Sequence, residues 1–227
     1  MIMSSGKAPV MNYEQARFNM VESQVRTWEV LDQRILDLLF KVKREEFVPP
    51  AYRSLAFVDM QIPLGYGEVM LAPKLEARLL QEVGIEPTDV VLEVGSGSGY
   101  TTALLATLAA TVHSVEIHPE LHQMAARNLR MAGIDNTSLH VGNAACGWKA
   151  QAPYDVIILT GSVPVLAEEL KLQLKVGGRL IAVVGSAPIM TAKLIVRAAE
   201  DAFSENGLFE TSIPSLRNAP QADKFKF

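Results

Sequence analysis

Val90-Val91-Leu92-Glu93-Val94-Gly95-Ser96-Gly97-Ser98-Gly99-Tyr100 is the stretch from which the rest of the chain can be read. A short run rich in β-branched residues predicts a buried strand. Three glycines in five residues then predict a tight turn, and from Gly99 to Leu108 the pattern turns helical. Such a strand, turn and helix start brings backbone N–H groups close to a ligand. Downstream the two periodicities keep alternating. Strands are predicted at Thr111–Val115, Thr137–Val141, Val156–Leu159 and Arg179–Val184. Helices are predicted at Pro119–Ala132, with proline at its first position, and at Pro164–Leu174. Gly177-Gly178 supplies the turn before the strand at Arg179. This is the pattern of a doubly wound, Rossmann-like α/β fold with parallel strands. Two final runs, Lys193–Ala199 and Leu208–Ile213, flank a polar stretch holding Asn206-Gly207, so a terminal hairpin turning there is expected.

The glycine spacing is G-x-G-x-G, one residue short of the dinucleotide pattern. Glu93, just before the glycines, would sit poorly beside a pyrophosphate but could pair with a cationic amino acid group. Glu116 ends the second strand of the alternating region, about 20 residues past the first glycine, where doubly wound folds set a carboxylate against ribose hydroxyls. Ile117 can cover an adenine face. In Gly142-Asn143-Ala144, after the next strand, a side-chain carbonyl can accept from an adenine amino group. Amino acid, ribose and base contacts at three strand ends fit S-adenosylmethionine better than a dinucleotide. Taken singly, each feature has a plainer reading. Glycines after a strand are often mere turns, Glu116 alone would be a solvated charge, and Cys146 a small buried side chain. His118 and His122 lie at i, i+4 without a third convergent ligand, and no metal site is expected.

Before Thr88 the sequence reads differently. Phe18, Val21 and Val25 recur at helical spacing, a second helix begins near Asp32, and Lys74–Val83 forms a third. Between them Pro63, Gly65, Gly67 and Pro73 mark an irregular stretch with room for only very short strands. Residues 1–87 therefore read as a helical extension with an irregular segment, and 88–227 as the core, within one compact domain. Met1–Val10 reads as a loose arm. At 227 residues, 49% hydrophobic and 20% charged, the chain can bury one substantial core. Its net charge of −4, with scattered Lys and Arg, argues against nucleic acid. The single cysteine excludes an internal disulfide. Without a signal-peptide pattern or an apolar run of roughly 20 residues, a cytoplasmic protein with no membrane partner is expected.

Residues 92–100 resemble the first motif of the protein-L-isoaspartate O-methyltransferase family. Arg44-Glu45-Glu46-Phe47-Val48-Pro49, Phe57 to Gly67, Ser114-Val115-Glu116, Gly147-Trp148, Ala152-Pro153-Tyr154-Asp155 and Gly177-Gly178-Arg179-Leu180 follow in that family's order. The resemblance spans about Ala16 to Val184. It implies a seven-stranded sheet with antiparallel final strands, S-adenosylmethionine as cofactor, and carboxyl methylation of damaged aspartyl residues for protein repair. It implies that Gly95, Ser96, Gly97, Glu116 and Asn143 contact the cofactor, and the strand-end reading adds Glu93, Ser98, Gly99, Ile117 and Ala144 to the cofactor-binding set. Val69, Met70 and Ala72 would lie over the reacting methyl. Asn143 replaces the family's usual aspartate. The catalytic position of the family, a serine that assists at the substrate carboxylate, is Leu71 here, and Val69 replaces a second hydroxyl. Three readings follow: repair of isoaspartyl protein or peptide, the same scaffold acting on a more apolar or small-molecule acceptor, or a cofactor-binding protein without transferase activity. Phe225 and Phe227 are candidates for closing over the site.

Overall fold

The computed structural model describes residues 12–221. The Met1–Val10 arm and the aromatic pair Phe225 and Phe227 lie outside the described residues.

The glycine turn follows β3 (Val90–Val94), the third strand in chain order. Two short strands precede it, β1 (Ile62–Gly65) and β2 (Glu68–Met70), which pair only with each other. The main sheet has seven strands in the order β5 (Thr137–Val141), β4 (Thr111–Glu116), β3, β6 (Tyr154–Leu159), β7 (Leu174–Ser186), β8 (Ile189–Ala199), β9 (Ala202–Thr211). The strands from β5 across to β7 are parallel, and β8 and β9 add antiparallel. In β3 the residues Val91 to Val94 are buried on both faces, as expected of a central parallel strand covered on each side. Chain order runs outward to β4 and β5 on one side of β3 and resumes at β6 on the other. That reversal opens a crevice at the C-terminal ends of β3 and β6, where doubly wound sheets bind ligands.

The crossover helices are α4 (Tyr100–Leu108), α5 (Pro119–Met131) and the short α6 (Glu168–Leu172). Ahead of the sheet stand α1 (Tyr13–Met20), α2 (Gln33–Lys41) and α3 (Pro73–Val83). One apolar cluster runs from Met20, Leu36 and Leu39 through Leu80 to Val91, Tyr100, Leu104 and Ile158, so the N-terminal helices share their core with one face of the sheet. Leu92, Leu159, Leu170, Leu180 and Ile195 form the core on the opposite face. Among the described residues no helix is long and apolar enough to cross a membrane.

Several boundaries differ from the sequence reading. α1 stops at Met20, and Val21–Val25 continue as a wider turn and Arg26–Trp28 as a tighter one, ending at Glu29 with φ 60°. Val21 and Val25 are buried as expected, whereas Phe18 is half exposed and Cys146, expected to be buried, is exposed. The helix expected at Pro164–Leu174 shrinks to α6, because β7 begins at Leu174 and runs through Gly177-Gly178. The terminal hairpin turns at Glu200-Asp201, not at Asn206-Gly207, which lies inside β9 where the register slips between Ala192↔Phe209 and Lys193↔Gly207. A local turn preference there yields to an extended ladder with β8.

Asp32 does begin α2, its side chain accepting from the Arg34 N–H at 2.9 Å. Asp32→Ala is expected to lower stability by about 1 kcal/mol, the usual worth of such a cap, in chemical denaturation.

Candidate active site

The crevice at the ends of β3, β4 and β6 is a cleft with ≈ 790 Å³ of empty space, part of it open to solvent. Its floor is the glycine turn. Gly95 has φ 99°, and a Cβ built there would collide with Thr160 Oγ1. That hydroxyl is seated beneath the turn, donating towards Val94 O at 2.9 Å and Gly95 O at 2.8 Å. Only glycine fits, in both conformation and space, and the bare backbone of Gly95, Ser96, Gly97 and Ser98 is left facing the cleft. Gly99 (φ 84°) is the N-cap of α4 and rests against Ala125 of α5, outside the lining.

Glu116, the last residue of β4, faces the cleft and is 4% exposed. Its Oε2 accepts from the Gly97 N–H at 2.9 Å and its Oε1 from the His118 N–H at 3.0 Å. Each carboxylate oxygen keeps a free lone pair, so the group is fixed in place and can still accept from two hydroxyls. Ile117 and Ala144 bring apolar surface to the same wall. Asn143 also lines it, with Oδ1 accepting from the Ala145 N–H at 3.1 Å. Its acceptor is thus already partly used in a local turn.

Glu93 does not face the cleft, which corrects the expectation that it meets a ligand's ammonium group. Its side chain points to Thr102 and Ser114 and is fully buried. Its Oε2 accepts from Thr102 Oγ1 and Ser114 Oγ, both at 2.5 Å, and Ser114 Oγ lies 2.5 Å from Ser96 Oγ. Oε1 has no hydrogen-bond partner among the described residues. Desolvation pushes the Glu93 pKa up to about 8, against the lowering effect of Ser114 and Thr102 and with help from the negative charges of Glu76 and Glu116. Glu93 therefore supports the glycine turn from behind, through Ser114 and Ser96.

The opposite wall is a strap made by the β1–β2 hairpin, from which Leu64, Glu68, Val69, Met70 and Leu71 line the cleft. Leu71 is 4% exposed and presents no hydrogen-bonding side chain. Ala72 lies outside the lining as the N-cap of α3. The sequence reading missed a third contributor, the segment after β9. Pro214, Leu216 and Arg217 close the cleft. Arg217 donates from Nε to Glu68 Oε1 at 2.9 Å and from Nη2 to Tyr66 O at 2.6 Å. Tyr66 in turn stacks on His118, ring centroids 4.9 Å apart. No motif marks this segment, and only the antiparallel return of β9 brings it to residues about 150 positions earlier. Thr160 and Gly161, also missed, follow β6 directly and could have been read as strand-end residues. Among the described residues no group of three or more His, Cys, Asp or Glu side chains could hold a metal ion.

A carboxylate poised for hydroxyls, an apolar flank, a side-chain-free turn and a strap across the mouth suit a nucleoside carrying an amino acid tail. The comparisons point the same way. The family model described as protein-L-isoaspartate(D-aspartate) O-methyltransferase matches residues 16–213. A protein-L-isoaspartate O-methyltransferase of Koribacter versatilis is 39% identical over 181 residues, 80% of this chain and 81% of the relative. One of Methylorubrum extorquens is 35% identical over 216 residues, 95% of this chain and 94% of the relative. A solved protein-L-isoaspartate O-methyltransferase superimposes with a TM-score of 0.77 at 27% identity, covering 88% of this chain and 65% of that chain. A Plasmodium falciparum protein solved with S-adenosyl-L-homocysteine shares the fold, with a TM-score of 0.76 at 19% identity over 92% of this chain and 99% of that chain.

Proposed function

Because this chain belongs to the protein-L-isoaspartate(D-aspartate) O-methyltransferase family, we propose that its cleft binds S-adenosylmethionine and methylates the carboxylate of isoaspartyl residues in proteins and peptides. The observation that carries this reading is the pairing of Glu116, with lone pairs free for two hydroxyls, and the Gly95 turn, which has no room for a side chain. In this reading Glu116 receives the ribose hydroxyls and Ile117 and Ala144 flank the adenine. Asn143 adds a polar contact at the base edge, and Gly95 to Ser98 present the backbone to the amino acid tail. The cofactor supplies an electrophilic methyl group on a sulfonium. A carboxylate acceptor with a reference pKa of about 4 is already ionised at neutral pH. The residues of this chain therefore need to align the acceptor and exclude water, and no general base is required. The strap residues Val69, Met70 and Leu71 supply the apolar cover.

Protein substrate fits the family, and a cytoplasmic location fits the single cysteine and the composition. One observation favours a second acceptor class. At the strap, Leu71 and Val69 offer no hydroxyl, so the wall facing the acceptor is more apolar than a carboxylate-binding wall needs.

Incubation with methyl-labelled S-adenosylmethionine, an isoaspartyl peptide and its aspartyl counterpart tests both readings. Repair predicts base-labile label on the isoaspartyl peptide alone. Label appearing only in a small-molecule extract would replace the acceptor, and no turnover with either would leave a binding protein. Leu71→Ser is expected to raise kcat/KM for the isoaspartyl peptide by about 10- to 100-fold, since a hydrogen bond to a charged group is worth about 1.5–3 kcal/mol. An unchanged kcat/KM would show that the wall already serves its acceptor without that hydroxyl.

A further inference from the structure

Arg44 is fully buried, although nothing in the binding of a nucleoside or a carboxylate requires a charge at its position. It stands in the tight turn Arg44–Glu46 that follows α2. A buried guanidinium is costly unless its N–H groups find acceptors. Nε donates to Ala56 O at 2.9 Å, Nη1 to Glu76 Oε2 at 2.8 Å and Nη2 to Leu71 O at 2.6 Å. The guanidinium carbon lies 5.0 Å from the centre of the Tyr100 ring. Glu76, 2% exposed, uses its other oxygen to accept from Thr101 Oγ1.

Two of these endpoints, Leu71 and Thr101, line the cleft. Leu71 belongs to the strap, and Thr101, in the first turn of α4, belongs to the wall beyond the glycine turn. Resting on the function proposed above, the geometry points to Arg44 as a positioning residue for methyl transfer: with Glu76 it fixes the strap carbonyl of Leu71 against the start of α4 and so sets the width of the cleft. Stability alone is a weak reason for such a pair. A buried ion pair is often no more stabilising than apolar residues of similar volume. The planar fork, however, holds three acceptors at set angles, which neither a lysine nor an apolar side chain can do. The strap has few other anchors. β2 is three residues long and pairs only with β1, and Arg217 holds the strap at Tyr66 and Glu68, so Arg44 is the side chain that fastens its other end, at the Leu71 carbonyl.

The test uses Arg44→Lys and the charge-free pair Arg44→Met with Glu76→Leu. Both are studied as full-length protein well below their own unfolding transitions. Calorimetry with S-adenosyl-L-homocysteine reports stoichiometry and Kd, and turnover with the isoaspartyl peptide reports kcat and KM. Stoichiometry near one with Kd weakened about 10-fold and kcat lowered about 100-fold is expected, because a misplacement of about 1 Å at reacting groups has that effect. Lysine should not rescue. If the role were merely structural, the folded variants would be fewer but individually normal. Kd and kcat per bound site within about 2-fold of wild type in either folded variant would overturn the proposal. Wild-type protein that does not bind S-adenosyl-L-homocysteine would instead overturn the cofactor reading itself. Wild-type protein that binds it but leaves the peptide unmethylated would overturn only the acceptor, and Kd would still decide the role of Arg44.

Discussion

Glu116→Ala is expected to weaken S-adenosyl-L-homocysteine binding by about 100- to 1000-fold, the equivalent of losing two hydrogen bonds to a charged acceptor at about 1.5–2 kcal/mol each. The side chain is 4% exposed and held from both sides, by the Gly97 N–H on Oε2 and the His118 N–H on Oε1. The chain's own backbone fixes its orientation, so little binding energy goes into ordering it. On the proposed reading alanine removes the acceptor for the ribose hydroxyls, and it also frees the Gly97 N–H at the floor of the cleft. Glu116→Gln separates these effects. One carbonyl oxygen survives, with its charge lost, so an intermediate weakening of about 10-fold is expected. Titration calorimetry gives both values, and thermal unfolding shows whether the fold is intact. An alanine variant that binds undiminished would remove the ribose contact from this cleft, and the assignment of the cofactor with it.

The glycine turn and Glu116 were legible in the sequence because local rules fix them. A strand of β-branched residues, a glycine at each forced turn and an acid at the next strand end all lie within one βαβ unit. Asp32, Pro119 and the alternating strands were legible for the same reason. The direction of Glu93 was not. Its neighbours on both sides of β3 are buried, so alternation does not say which face meets the ligand, and only the position of Ser114 and Thr102 does. Arg217 and Leu216 were illegible because nothing local marks them. They reach the cleft through the length of β8 and β9, which the sequence reading shortened by placing the turn at Asn206-Gly207. Arg44 was visible only as part of a motif. Its three acceptors come from residues 12 to 32 positions away, beyond the reach of any periodicity.

Glu93 carries the second large prediction, and it concerns pH. In the folded chain burial raises its pKa from the ordinary 4.5 to about 8, so between those values the native state holds a proton that the unfolded state has lost. Stability then falls as pH rises. The favourable state is fully present below pH 4.5, declines through the interval and is exhausted above about 8. At about 1.4 kcal/mol per pH unit, the loss attributable to this one carboxyl is on the order of 5 kcal/mol. Glu93→Gln has nothing to titrate. Its amide oxygen can still accept from Ser114 and Thr102, while its NH2 group takes the place of Oε1, which has no partner among the described residues. That adds a fixed cost of about 1–3 kcal/mol at every pH. The difference between the two proteins should therefore drift steadily, with wild type favoured near pH 5 and the glutamine variant gaining on it up to pH 8. Urea denaturation at several pH values measures the drift. Parallel stability curves would mean that Glu93 is ionised throughout, and that Ser114 and Thr102 outweigh its burial.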